Sequence, residues 1–89
     1  MGMDIHIRDE KKTVLADIGL SSSFNQPLRD AGLGNGLWSL QGVTGQQVAQ
    51  MMGPKWKQLR TTMDKDAVNQ LRRFVRTCQK HPDAKLFVF

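Results

Sequence analysis

One cysteine, no tyrosine, three prolines and no long apolar run mark this 89-residue chain first by what it has little of. The lone thiol, Cys78, cannot form an intrachain disulfide, and such cysteine usage suits a reducing cytoplasm. No apolar stretch approaches the roughly 18 residues that a membrane span needs, and the first residues hold no apolar signal-type segment. The expectation is a single cytoplasmic domain over residues 1–89 with no membrane partner. A domain of this size buries only about 60–65% of its unfolded surface, so without disulfides its stability rests on core packing.

The ingredients of catalysis and metal binding are also sparse. Cys78 and His81 have the spacing of half a zinc site, but the only other histidine is His6, and four ligands are needed. The serines of Ser21-Ser22-Ser23 have no nucleophile-elbow context and read as helix caps. Gly34-Asn35-Gly36 matches neither phosphate-loop nor dinucleotide-binding spacing. The carboxylates are scattered, with no pair whose surroundings argue for acid–base work. A non-enzyme without cofactor or metal is the expectation.

What the chain does have is lopsided charge. Its net charge is +5, and Lys55 to Lys80 holds eight basic residues against Asp64 and Asp66. Residues 1–54 carry four basic and five acidic groups. Such asymmetry points to a polyanionic or acidic partner, or else to a solvated helical face. The candidate binding residues are Lys55, Lys57, Arg60, Arg72, Arg73, Arg76 and Lys80.

Periodicity predicts α+β architecture. Met3 to Arg8 alternates apolar and polar residues and reads as a half-buried strand, with outward His6 a surface residue. Asp9 to Lys12 is a charged turn, and Thr13 to Ile18 returns antiparallel until Gly19 breaks the run. A short helical turn spans Phe24, Leu28 and Ala31 and ends at Gly32, with Pro27 near its start. Leu37 to Leu40 is too short to assign, and Trp38 is expected to fill core. Thr44 and Gln47 form a capping box for a helix that Gly53-Pro54 interrupts. A second segment covers Pro54 to Met63. Asp64 caps the last helix, on which Ala67, Val68, Leu71, Phe74, Val75 and Cys78 share about 120° of arc. Arg72, Arg73, Arg76 and Lys80 share about 100° on the opposite side. Leu86 to Phe89 is a final strand. The predicted fold is a small antiparallel sheet, an N-terminal hairpin plus a C-terminal strand, packed by two to three helices in the order β-β-α-α-α-β.

Within GPKWKQLR (53–60), Trp56 lies either on the buried face or in a cationic groove as a stacking platform. Trp56, Leu59 and Met63 form one helical stripe, which predicts a core tryptophan flanked by lysines whose heads stay in water. Cys78, on the apolar arc, is expected to be buried and inert.

The order of these signals resembles that of a loose family of small uncharacterised proteins from phages and bacterial mobile elements. The residues that carry it are Met3-Asp4-Ile5-His6-Ile7, Phe24-Asn25, Ala31-Gly32-Leu33, Leu37-Trp38, and Leu71, Cys78 and His81-Pro82-Asp83-Ala84. The chain departs from that pattern where Thr61-Thr62-Met63-Asp64 replaces a longer Gly- and Trp-containing loop. The resemblance implies a viral or mobile-element setting and supplies no site residues. In that setting the expected role is to engage and inhibit a host nucleoprotein or protein complex through the 55–80 face, as anti-CRISPR inhibitors do. A DNA mimic should be acidic, so this basic chain would bind nucleic acid, an acidic protein patch or a guide-bearing complex. The alternative is a direct, sequence-nonspecific nucleic-acid-binding accessory protein.

Overall fold

Met3, Ile5 and Ile7 are buried while Asp4 lies exposed and His6 and Arg8 half-exposed, the alternation of a strand covered on one face. The computed structural model describes residues 2–89, and this strand, β1, spans Gly2–Arg8. It occupies the centre of a three-stranded antiparallel sheet of order β2-β1-β3. β2 is Val14–Ser21 and β3 is Lys85–Val88. The hairpin turn is held by Asp9, whose carboxylate accepts from the backbone of Lys11 and Thr13, both at 2.9 Å. A register shift beside Ile7 leaves Leu15 without a cross-strand partner. Gly19 does not end β2, which runs on to Ser21. Pairing with Asp4 sustains the strand there, and a glycine weakens a paired strand without stopping it.

Ser21 caps a 3-10 turn at Ser22–Phe24, which feeds α1 (Asn25–Asp30). A second 3-10 turn covers Gly36–Leu40. Three residues per turn set Leu37 and Leu40 on one side, both fully buried, and throw Trp38 out to 48% exposure. Trp38 is therefore not a core residue. Asn25 ties these pieces together: its side-chain oxygen accepts from Leu37 N–H at 2.8 Å, and its amide donates to Met3 sulfur at 3.3 Å.

Three further helices follow, giving the expected β-β-α-α-α-β order around the short α1. They are α2 (Gly45–Met52), α3 (Trp56–Thr62) and α4 (Lys65–Lys80). Thr44 and Gln47 make the complete capping box at the start of α2. Asp64 caps α4 by accepting from Ala67 N–H at 2.7 Å. α4 lays Leu71, Phe74, Val75 and Cys78 onto the core, where they meet Ile5, Ile7 and Leu86 from the sheet and Val48 and Met52 from α2. Leu86 and Val88 are the buried residues of β3, while Phe87 and Phe89 alternate onto the opposite, open face of the sheet.

α2 and α4 meet end against end. The orphan N–H groups of α2 find partners outside the helix, Gly45 donating to the Ala84 carbonyl at 2.9 Å and Gln46 to that of Pro82 at 3.0 Å. Gly45 is buried, and a Cβ there would overlap the carbonyl oxygens of Cys78 and His81. Gly45→Ala should therefore cost about 1–3 kcal/mol through overpacking, although alanine is the better helix former. Chemical denaturation of the variant checks this; unchanged stability would mean the two helix ends separate freely.

Candidate functional site

Gly53 and Pro54 position the basic segment. α2 stops at Met52, a 3-10 turn over Gly53–Lys55 redirects the chain, and α3 begins at Trp56, two residues later than Pro54. Met63 is extended and Asp64 caps α4, so α3 and α4 are joined by two residues and pack as neighbours. Between them lie two shallow depressions. One is lined by Arg60, Met63, Lys65, Val68, Asn69 and Arg72, the other by Trp56, Arg72, Val75, Arg76 and Gln79. Arg72 belongs to both.

Trp56 is half-buried. It packs against the core cluster on one side, and the guanidinium of Arg72 lies 5.7 Å from its ring centroid on another. The expectation of a core tryptophan thus holds for part of the indole only. α3 is short and lies at the rim of the core, so Leu59 one turn on is fully enclosed and Trp56 is not.

The seven basic residues are not all gathered around the same depressions. Arg60, Arg72 and Arg76 line the α3–α4 depressions, and Lys65 joins them. Lys65 lies seven residues before Arg72 on the same helix face, which is the signal that could have added it. Lys55 is half-buried, and its ammonium donates to the Ala31 carbonyl at 3.1 Å, satisfying a carbonyl at the end of α1. Lys57 and Lys80 are exposed and border neither depression. Arg73 faces the other flank of α4, beside Ile18 and Leu20 of β2.

Among the described residues no lysine or arginine pairs with a carboxylate, and the one contact of that kind is His6 Nε2 with Asp17 at 3.5 Å. His6 sits on the open sheet face in a cluster that the sequence reading missed. Its Nδ1 lies 2.9 Å from an Arg8 guanidinium nitrogen, and its ring meets Phe89 edge-on with centroids 4.8 Å apart. The Arg8 guanidinium also lies over Phe87, 4.7 Å from the ring centroid. The shared parity of His6 with Arg8, and of Phe87 with Phe89, was the available signal.

An acidic cleft lies beyond the C-terminal end of α4, lined by Asp9, Glu10 and Asp83 together with His81. Among the described residues, no group of three or more histidine, cysteine or acidic side chains is arranged to hold a metal ion. No helix among them is long and apolar enough to cross a membrane. Compared with protein-family models, curated proteins and solved structures, the chain matches none.

Cys78 is fully enclosed, and burial pushes its thiol up to about 12 from 9.0. The folded state keeps the proton that the unfolded chain releases above about pH 9. The neutral thiol's stabilisation is therefore complete below that pH and is lost as pH rises toward 12. The stability gap between wild type and Cys78→Ala should accordingly shrink from pH 9 upward. Urea titrations of both proteins between pH 7 and pH 11 would show it, and a constant gap would contradict an enclosed thiol.

Proposed function

We propose that this protein is a non-enzymatic binding module whose α3–α4 face docks on a polyanionic surface. The observation that carries the reading is the unpaired state of Arg60, Lys65, Arg72 and Arg76 around adjoining depressions. Like charges gathered without counter-charges raise the local potential, and phosphates or carboxylates of a partner relieve it. Arg72 is held in place by the Trp56 ring, so less of its freedom is lost on docking. No recognised base-reading element accompanies these residues, which favours contacts to charge over contacts to sequence.

In the phage or mobile-element setting that the sequence resemblance implies, the partner would be a nucleoprotein or acidic protein complex of the host, inhibited by occupation of its charged surface. Direct, sequence-nonspecific nucleic-acid binding is the second reading. Trp56 beside Arg72 favours it, because cationic grooves with an aromatic ring are how single strands are commonly held.

Three probes separate these partners: a single strand of about 20 nucleotides, its duplex, and polyglutamate, each titrated from roughly 50 mM salt upward. With exposed Trp38 changed to phenylalanine, Trp56 fluorescence reports contact at the face itself. At least one probe should bind and alter that signal. For nucleic acid, log affinity should fall against log salt by about 0.7–0.9 per phosphate contacted. Arg60→Glu, Arg72→Glu and Arg76→Glu together should weaken binding at least roughly 100-fold, while Arg60→Glu and Arg76→Glu each cost under about 0.5 kcal/mol of stability and Arg72→Glu about 0.5–1 kcal/mol through its lost contact with Trp56. A wild-type protein indifferent to all three probes, or a reversal variant that binds as wild type does, would overturn the reading.

A further inference from the structure

The sheet has two outer edges, and the chain treats them differently. Along β3, Gly42 N–H donates to the Leu86 carbonyl and Leu86 N–H to that of Val43, both at 2.8 Å. Val88 N–H donates to the side-chain oxygen of Gln41 at 2.6 Å. That edge is closed. Along β2, among the described residues, no other backbone segment and no side chain bonds the main chain of residues 14–20 from the outer side. Every second residue of an edge strand turns its N–H and C=O outward, ready to pair with another strand. β2 carries no lysine and no proline, the residues that commonly block such pairing. Its single charge, Asp17, is drawn to His6 on the open sheet face.

Beside this edge runs an open groove of about 510 Å³ between β2 and α4. Ile18 supplies accessible apolar surface above the nearly enclosed Leu20 and Phe74, Gln70 and Thr77 supply polar surface, and Arg73 a cation. Arg73 is the candidate residue that α4 turns away from the α3–α4 face. It has no carboxylate partner within the described chain.

We propose that the β2 edge and this groove receive an extended acidic–apolar segment of a partner protein, added as a fourth strand. The incoming backbone would satisfy the outward groups of β2. Every second side chain would face the groove, apolar ones against Ile18 and a carboxylate against Arg73. A second copy of this chain fits less well. The groove-facing side of its own β2 is Ala16, Ile18 and Leu20, without a carboxylate, and two chains of net charge +5 repel.

The test is selection from a displayed library of random decapeptides, with the folded wild-type protein and Arg73→Glu as parallel baits. Wild type should enrich peptides that alternate apolar residues and carry aspartate or glutamate, whereas Arg73→Glu should enrich lysine or arginine instead. A synthetic copy of a selected peptide should protect amides within 14–21 from hydrogen exchange. It should bind Arg73→Glu at least roughly tenfold more weakly and Lys57→Glu, exposed and bordering neither surface, as well as wild type. Failure to enrich an alternating motif, protection outside β2, or affinity indifferent to Arg73→Glu would each overturn the proposal. So would a dimer in sedimentation with 14–21 protected in the absence of peptide, which would assign the edge to a second copy.

Discussion

At Gly45 the positive end of α2 presses against the negative end of α4 with no side chain between them. The N–H groups that a helix start leaves free meet carbonyls in the loop after α4, and the two helix dipoles meet with opposite signs. The chain on either side is drawn together as well, because residues 41–44 lie along the outer edge of β3 just after the loop. One close approach thus sets how α2 lies on α4 and how β3 enters the sheet. The core cluster fills the space those placements leave. Close packing of this kind is intolerant of even one added carbon.

α4 then divides the surface. Its apolar arc is consumed by the core, and its remaining arc is too wide to face a single neighbour. Arg72 and Arg76 border α3, whereas Arg73, about 100° around from Arg72, borders β2. Two surfaces of different character result. One is cationic with an indole in it, and the other is a groove of mixed polar and apolar lining with one cation beside an unpaired strand. Asp9, Glu10 and Asp83 gather elsewhere, around the hairpin turn and the loop before β3.

Much of this was legible before any coordinates, and what was not has physical causes. The apolar arc of α4 could be read because sixteen residues of helix repeat the pattern four times. The capping box at Thr44 could be read because its two side-chain bonds join residues three positions apart. Trp38 was misjudged because the turn around it has three residues per turn, a period that five residues cannot reveal. Gly19 was misjudged because strand continuation depends on a partner strand, which a local reading does not see. Within the candidate face, the sequence marks which residues are cationic but not which are already engaged. Lys55 turns inward to a carbonyl of α1, a partner 24 positions away. The unpaired edge of β2 was hidden for the same reason, since only the assembled sheet shows which strand ends up outermost.

The central position of β1 has a consequence for how the molecule is made. β1 is flanked by β2, its neighbour in sequence, and by β3, roughly 80 residues later. At synthesis rates of roughly 5–20 residues per second, the strand destined for the middle of the sheet waits on the order of ten seconds with one side bare. Until then the sheet holds two strands at most, and such a hairpin is marginal alone in water before the helices pack on it. Its apolar face, Met3, Ile5 and Ile7, is covered only as the helices between β2 and β3 emerge, α4 last of them. The nascent chain therefore passes through a stage in which a holding chaperone has a well-defined strand to grip, and the arrival of α4 and then β3 ends it.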